Sequence, residues 1–207
     1  MTADALISLA RRRRLVLGSR SPRRMQLLSE LGVSFRQVVS EIDEAQRTGE
    51  DPFRYAVRLA EDKALDVVRS CDQDEIVIGG DTVVVLEGVI LGKPANRDEA
   101  IQTLERLSGH RHTVCTALAL ANGTGVLCSG EERTEVCFNR VTREQIERYV
   151  DSGEPMDKAG AYGIQGMGAF LVDSIAGNLD NVVGLPRVLL NSLAREACRL
   201  FLHGTDC

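Results

Sequence analysis

Residues 76–86 read IVIGGDTVVVL, two aliphatic runs separated by Gly79, Gly80, Asp81 and Thr82. Valine and isoleucine fit a pleated, covered surface, so the two runs predict one buried strand. The glycine pair allows a ligand or a second backbone to approach the strand closely. A carboxylate in such a run is costly unless it is paired, hydrogen-bonded or bound to a metal. Taken alone, the stretch leaves two interpretations of Asp81 open: a chemically active acid or a residue that caps a turn.

The sequence on either side of this strand alternates strand and helix signals. Ser21-Pro22 and Asp51-Pro52 each place an N-cap residue before a proline at the first helical position. The helix after Asp51 carries apolar residues at spacings of three and four, which predicts one buried stripe. Asn122-Gly123 joins two long strand-like runs and predicts a hairpin. Together these signals predict an α/β fold, a mixed twisted sheet with helices on both faces, extended by the hairpin.

The composition is that of a folded domain with reduced cysteines. The 207 residues suffice for a sizeable core, and 30 acidic against 25 basic residues give a formal net charge of −5. That balance argues against a protein that coats nucleic acid. No apolar run approaches the length of a membrane span, which predicts a soluble protein. The six scattered cysteines fit free thiols in a cytosol better than a disulfide framework.

The first fourteen residues differ from the rest of the chain. A weakly apolar segment is followed by Arg11, Arg12, Arg13 and Arg14. A secretory signal has its charged residues before the apolar segment, which is the opposite order. We therefore expect residues 1–14 to be a disordered, arginine-rich extension and residues 15–207 to form a single domain.

A candidate anion site lies at the start of the first predicted helix of that domain. The segment between Gly18 and Arg24 supplies hydroxyls from Ser19 and Ser21 and the guanidinium groups of Arg23 and Arg24. Helix N-termini bind anions through free N–H groups and the helix dipole. Cations at this position oppose the dipole, so two arginines there favour an expected phosphate. Ordinary capping with solvated arginines is the alternative.

The scarce lysines and one acidic segment add further candidates. Lys63, Lys93 and Lys158 are the only lysines in a chain whose other basic residues are arginines, which predicts that these positions require an ammonium group. Glu44 lies in an acidic segment that is by default a surface loop. Together with Asp81 it offers the carboxylate oxygens that Mg²⁺ prefers when it also binds phosphates.

Residues 157–166 read DKAGAYGIQG and are rich in glycine. Glycine suits backbone that lies close to a flat ligand. Gln165 carries both a donor and an acceptor, which matches the Watson–Crick edge of a uracil-type base. A purely structural turn is the alternative. The three histidines lack the partners of a zinc site or a catalytic triad, and no P-loop motif is present.

In combination these motifs resemble the Maf family. The resemblance runs in order from about residue 15 to about residue 202. It rests on Ser19-x-Ser21-Pro22-Arg23-Arg24, Gly80-Asp81-Thr82, Gly92-Lys93-Pro94, residues 157–166 and residues 181–186. It implies a cytoplasmic nucleoside triphosphate pyrophosphatase that uses a divalent metal, Mg²⁺ or Mn²⁺. It also implies the two-lobed α/β architecture shared with inosine triphosphate pyrophosphatases (Ham1), with the active site in a cleft between the lobes.

Within the family, Asp81-Thr82 and residues 157–166 resemble the branch that acts on dTTP and UTP. The sister branch, which acts on 7-methyl-GTP, has Asp-Gln at the first of these sites and remains the alternative. By resemblance Asp81 is the proton acceptor, and Arg23, Thr82 and Gln165 set the choice of base. The other positions that match the family's cleft are Ser19, Arg24, Glu44, Lys63 and Lys93. The metal ligands implied are Glu44 and Asp81.

Two features depart from the family pattern, the arginine-rich extension and Arg187, where leucine is commoner. The resemblance implies a nucleotide substrate, modified pyrimidine triphosphates included, with neither nucleic acid nor membrane as partner. It also admits a homodimer and a partner in cell division, since members are linked to inhibition of septum formation. Two non-enzymatic readings stay open at this point: a nucleotide-binding division regulator whose catalysis is incidental, and a plain α/β binding domain.

Overall fold

The computed structural model describes residues 4–203, which form seven strands and seven α-helices. The strands are β1 (Arg14–Gly18), β2 (Phe35–Gln37), β3 (Glu75–Leu86), β4 (Val89–Leu91), β5 (Arg111–Asn122), β6 (Gly125–Phe138) and β7 (Val172–Ala176). The helices are α1 (Asp4–Arg12), α2 (Pro22–Ser29), α3 (Pro52–Val68), α4 (Arg97–Leu107), α5 (Arg143–Asp151), α6 (Leu179–Val183) and α7 (Arg187–His203). Three 3₁₀ turns cover Glu154–Asp157, Ala159–Ala161 and Gly166–Leu171.

The strands form one mixed sheet in the order β2-β1-β3-β5-β6-β7, with β4 paired to β3. β1 runs parallel to both β2 and β3, whereas the β3/β4 and β6/β7 pairs are antiparallel. The predicted hairpin is β5–β6, and Asn122 closes its turn by accepting hydrogen bonds from the amide and hydroxyl of Thr124. The prediction of a mixed α/β sheet is confirmed.

Helices cover both faces of β3. A Cβ atom added to Gly79 would meet Ala60 and Ala64 of α3, whereas one added to Gly80 would meet Arg24 of α2. Side chains of successive strand residues point to opposite faces. α2 and α3 therefore pack on opposite faces of the strand, which explains why the sequence of β3 is almost continuously apolar rather than alternating.

The chain divides into two compact units. The first contains the described parts of residues 1–81, 116–132 and 184–207, and the second contains residues 82–115 and 133–183. β3 passes from one unit to the other between Asp81 and Thr82. Two compact units can belong to one domain, so the expectation that residues 15–207 form a single domain stays a prediction.

The N-terminal segment corrects the expectation of a disordered extension. Residues 4–12 form helix α1, in which Leu6 and Leu9 are fully buried. The side-chain oxygen of Asn191 in α7 accepts hydrogen bonds from the amides of Ala5 and Leu6, at 3.0 and 3.2 Å, and so caps the helix. Two leucines three residues apart form an apolar stripe on α1, which is buried against α7. Because α7 lies far away in sequence, the segment itself does not reveal this partner. Residues 1–3 lie outside the described range.

Within residues 4–203, no helix combines the length and the apolar character that a membrane crossing requires.

Candidate active site

The contact between α3 and β3 is unusually close. A Cβ atom at Gly79 would lie 2.2 Å from the carbonyl oxygen of Ala60 and 2.9 Å from the amide nitrogen of Ala64. α3 begins where its sequence predicts, with Asp51 accepting hydrogen bonds from the amides of Phe53 and Arg54. The absent side chain at Gly79 allows the helix backbone to touch the strand, and this brings the polar edge of α3 next to the strand residues that follow.

Lys63 of α3 bridges two of the predicted acids. Its Nζ atom lies 2.6 Å from Asp81 Oδ1 and 2.9 Å from Glu44 Oε1. The side chains of Lys63 and Asp81 are 13% and 12% exposed, whereas that of Glu44 is 55% exposed. We call these three residues the acid–lysine cluster. The structure thus brings together three side chains that lie far apart in the sequence, all within the first unit.

The cluster leaves specific atoms available. An ammonium group has three N–H bonds, of which Lys63 uses two for Asp81 and Glu44. Among the described residues, Asp81 Oδ2 has no hydrogen-bond donor. An uncommitted carboxylate oxygen beside an uncommitted N–H is an arrangement that can accept a proton and bind an anion at neighbouring points.

The donor set of the cluster fits magnesium rather than zinc. Mg²⁺ is held through one or two carboxylates plus substrate phosphates and water, and Glu44 and Asp81 supply two carboxylates directed at one cation. Within residues 4–203, no three His, Cys, Asp or Glu side chains converge as a self-sufficient metal site. The remaining ligands of such an ion would therefore come from a bound substrate or water.

The loop between β1 and α2 lies beside Gly79 and Gly80, because Gly18 pairs with Gly79 in the parallel register. Arg24 is buried on the face of β3 that Gly80 leaves open. Its Nε donates to the carbonyl oxygen of Gly184 at 2.8 Å, and its Nη1 donates to Ser19 Oγ at 2.6 Å. Burial lowers the pKa of Arg24, and the negative charge of Asp81 acts in the opposite direction. Arg24 thus carries a fixed guanidinium in the immediate field of Asp81.

Several polar groups at the start of α2 already have hydrogen-bond partners within the protein, which the sequence does not suggest. Ser21 Oγ accepts the amide of Arg24 at 3.3 Å, and Ser19 Oγ accepts the amide of Ser21 at 3.2 Å. We expected Ser19 and Arg24 to meet a phosphate, but the structure first commits them to each other. Arg23 differs, because it is half-buried and has no hydrogen bond or ion pair with any described residue. It is the better candidate of the two arginines for contact with a substrate.

The second unit holds the other predicted site residues, Thr82, Lys93 and Gln165. Lys93 is exposed in the loop after β4, and the carbonyl oxygen of Gly92 accepts the amide of Gly160 at 3.0 Å. This hydrogen bond joins the Lys93 loop to the glycine-rich segment that carries Gln165. Gln165 is exposed, and its side-chain amide makes no hydrogen bond with a described residue. Thr82 directly follows Asp81 in β3, so the two side chains point to opposite faces of the strand.

Lys158, the third scarce lysine, has a structural role. Its ammonium donates to Asp157 Oδ1 at 2.7 Å and to the carbonyl oxygen of Glu154. These bonds fix the chain at the start of the glycine-rich segment. Asp157 and Lys158 form an ion pair, so Lys158 is not a spare cation.

Sequence reasoning missed Tyr149 and Glu154, whose side chains contact the backbone on both sides of Gln165. A tyrosine at the end of one helix and a glutamate before a proline are common on protein surfaces. The only available signal is the number of glycines downstream, which the structure explains by close approach to these two side chains.

The expectation that the histidines take no part in catalysis stays a prediction, and the structure gives one of them, His112, a packed position. It is buried in the second unit, where Nε2 lies 2.9 Å from the hydroxyl of Tyr162 and the ring contacts Phe138 and Tyr162 edge to face. Burial lowers the pKa of His112 to about 4. The imidazole is therefore neutral in the folded protein at neutral pH.

This burial predicts a loss of stability in acid. Below pH 6.5 the unfolded chain protonates its histidine while folded His112 stays neutral until about pH 4, so acid favours unfolding. From these values His112 lowers the free energy of unfolding by about 2 kcal/mol between pH 7 and pH 5. In urea titrations, His112→Gln should lose less stability than the wild type over this interval. Equal losses in the two proteins would contradict the assignment.

Comparison with known proteins adds to this geometry. The model of a family described as Maf-like protein matches residues 14–197. The dTTP/UTP pyrophosphatase of Escherichia coli O6:K15:H31 (strain 536 / UPEC) is 48% identical over 175 residues, covering 84% of this chain and 88% of that protein. That of Symbiobacterium thermophilum is 51% identical over 173 residues, covering 83% and 88%. The Ham1 protein of Staphylococcus aureus, a solved structure, aligns with a TM-score of 0.48 and 13% identity over 92% of this chain and 98% of that one. The family match contains every predicted site residue and begins after α1.

Proposed function

The chain belongs to the Maf family, and from that premise we propose that it is a nucleoside triphosphate pyrophosphatase acting on dTTP and UTP. The products are the nucleoside monophosphate and pyrophosphate. The observation that carries the proposal is the acid–lysine cluster: an aspartate in a glycine-flanked strand, held through one oxygen by Lys63, with its second oxygen uncommitted. Relatives that share about half of their residues with this chain bear the name of that activity.

Asp81 acts as the proton acceptor. Lys63 fixes Oδ1, so Oδ2 is free to orient a water molecule and take its proton as the water attacks the α-phosphorus. The bond from the α-phosphorus to the bridging oxygen breaks, and pyrophosphate leaves with the electron pair. General-base assistance of this kind typically contributes a factor on the order of 10²–10⁴ to the rate.

Cationic groups offset the charge that develops during this step. A bound divalent metal would polarise phosphoryl oxygens and stabilise the leaving group, and Glu44 and Asp81 are the side chains that would hold it. The third N–H of Lys63 and the exposed ammonium of Lys93 are available to phosphate oxygens. Arg24, on the opposite face of the strand, acts through its charge, and two of its hydrogen bonds go to Ser19 and Gly184.

The choice of base rests on hydrogen-bonding side chains. We assign Gln165 and Thr82 to the uracil or thymine edge, with Arg23 as the third specificity residue. The uncommitted amide of Gln165 supports this, because it can offer a donor and an acceptor together. A site built around such hydrogen bonds rejects bases that leave its polar groups unpaired. Thr82 and Gln165 also favour this substrate class over 7-methyl-GTP. The sister branch, which acts on 7-methyl-GTP, has glutamine rather than threonine after the aspartate.

We place the reaction in the cytoplasm, where five described cysteines, all free thiols, would remain reduced. A homodimer, a partner in cell division and a link to septum formation stay predictions from the family resemblance.

The experiment that tests the function is hydrolysis of dTTP, UTP, CTP and 7-methyl-GTP with Mg²⁺ or Mn²⁺, followed by identification of the products. We expect dTTP and UTP to yield the monophosphate and pyrophosphate at the highest kcat/KM. Preferential turnover of 7-methyl-GTP would contradict the substrate class. Release of inorganic phosphate and the nucleoside diphosphate would contradict the reaction.

A further inference from the structure

The segment around Gln165 is attached to two side chains that precede it. We call residues 163–168 the Gln165 loop. The carboxylate of Glu154 accepts the amide of Met167 through Oε2 at 3.0 Å and the amide of Gly168 through Oε1 at 3.3 Å. The hydroxyl of Tyr149 accepts the amide of Gly163 at 3.0 Å and donates to Glu154 Oε1, also at 3.0 Å. One connected pair of side chains therefore holds the loop on both sides of Gln165.

The glycines of the loop are explained by this attachment. A Cβ atom would lie 3.1 Å from Glu154 Oε1 if added to Gly163, and 3.0 Å from Oε2 if added to Gly166. One added to Gly168 would lie 2.3 Å from the carbonyl oxygen of Gly163 and 2.6 Å from the hydroxyl of Tyr149. From the sequence we ascribed the glycine density to a flat ligand. The structure shows that the backbone closes around a carboxylate and a phenol.

Gln165 itself has no side-chain anchor. It is exposed, and its side-chain amide makes no hydrogen bond with a described residue, so the loop backbone determines where the amide lies. Recognition by hydrogen bonds requires that the side chain start from a position correct to a fraction of an ångström. Backbone amides bound to a carboxylate provide such a support, because hydrogen bonds to a charged group are roughly twice as strong as neutral ones.

We propose that Glu154, together with Tyr149, is a positioning residue for base selection. It sets the place of Gln165 without itself contacting the nucleotide. The inference rests on the proposed function, in which Gln165 reads the base, and it adds residues to which the family comparison gives no role. It predicts that loss of the Glu154 carboxylate impairs discrimination between pyrimidines more than it impairs chemistry.

The test is the ratio of kcat/KM for UTP to that for CTP. Glu154→Gln keeps the shape of the side chain but replaces one acceptor oxygen with an NH₂ group. That group is a donor and cannot accept a hydrogen bond from a backbone N–H of the loop. We expect the UTP:CTP ratio to fall about ten-fold, which corresponds to about 1.4 kcal/mol, because the loop loses a hydrogen bond to a charged group. The KM for UTP should rise while kcat stays within about two-fold, because the acid–lysine cluster is untouched. Tyr149→Phe should change the ratio in the same direction and by less.

Glu147→Gln is the matched control. It makes the same substitution seven residues earlier, in a glutamate of α5 whose side chain pairs with Arg143 rather than with the loop. It should leave the UTP:CTP ratio unchanged. If Glu154→Gln does not fold, Tyr149→Phe decides the question, since it deletes one hydroxyl and keeps the buried ring.

Gln165→Ala separates this inference from the proposed function. If Gln165→Ala leaves the ratio unchanged, Gln165 does not read the base and the assignment in the proposed function fails. If Gln165→Ala lowers the ratio but Glu154→Gln and Tyr149→Phe do not, only the positioning role fails. We expect Glu154→Gln to have no further effect on the ratio in the Gln165→Ala background. Equal additional losses there would also overturn the inference.

Discussion

Asp81→Asn should lower the rate of UTP hydrolysis by about 10²–10⁴-fold while the protein still folds and binds UTP. The asparagine oxygen can take the place of Oδ1 and still accept from Lys63, so the contact between α3 and β3 survives. The amide nitrogen replaces Oδ2, and an NH₂ group cannot accept a proton from water. The rate is measured as pyrophosphate release at saturating UTP, and the affinity by equilibrium binding.

Asp62→Asn is a suitable control. It also replaces an aspartate with asparagine, but at a residue of α3 whose carboxylate pairs with Arg58. Arg58 keeps its second partner Glu50, so we expect stability and turnover close to the wild type. If Asp81→Asn hydrolysed UTP at the wild-type rate, Asp81 would not be the proton acceptor. A loss of UTP binding equal to the loss in rate would assign Asp81 to substrate affinity instead.

Gly79→Ala should cause the largest loss of stability among single methyl additions in β3. The new Cβ would lie 2.2 Å from the carbonyl oxygen of Ala60, which is backbone and cannot rotate away. α3 must therefore shift from the strand, at a cost on the order of 3 kcal/mol in free energy of unfolding. Urea unfolding measures the change as a lower midpoint.

The same shift should separate Lys63 from Asp81, so any folded Gly79→Ala protein should also hydrolyse UTP more slowly than its stability alone explains. Gly123→Ala is the control, since a Cβ there meets no atom within 4 Å. A Gly79→Ala protein with the wild-type urea midpoint would contradict the close packing of α3 on β3.

Local sequence patterns predicted the part of the fold that positions the acid. The aliphatic runs around Asp81 gave β3, the Asp51-Pro52 pair gave the start of α3, and the glycine pair predicted the close approach. Lys63 lies on the same helix as the apolar stripe and reaches Asp81 because Gly79 and Asp81 share one face of the strand. These inferences succeed because each depends on neighbours within one or two elements.

Contacts between residues that are distant in sequence could not be predicted. Arg24 is turned inward by the carbonyl oxygen of Gly184, 160 residues further along. Helix α1 is ordered by Asn191, and no pattern within the first fourteen residues reveals that partner. Neither contact has a local signature. The expectation of a disordered extension is therefore wrong for residues 4–12, whereas the phosphate contact expected of Arg24 stays a prediction.

The three lysines show the limit of reasoning from scarcity. Lys63 lies in the acid–lysine cluster and Lys93 is an exposed cation, as expected of residues near a nucleotide site. Lys158 also requires an ammonium, but its bonds go to Asp157 and to the backbone of Glu154. A rare residue type therefore indicates that a specific donor is required, and only the fold distinguishes a structural requirement from a catalytic one.

The most direct measurement is UTP hydrolysis in oxygen-18 water, with mass analysis of both products. Attack of water on the α-phosphorus, with Asp81 as the base, predicts one labelled oxygen in UMP and none in pyrophosphate. The label in pyrophosphate would mean attack on the β-phosphorus, and labelled inorganic phosphate beside UDP would mean attack on the γ-phosphorus. Either result would contradict the proposed reaction.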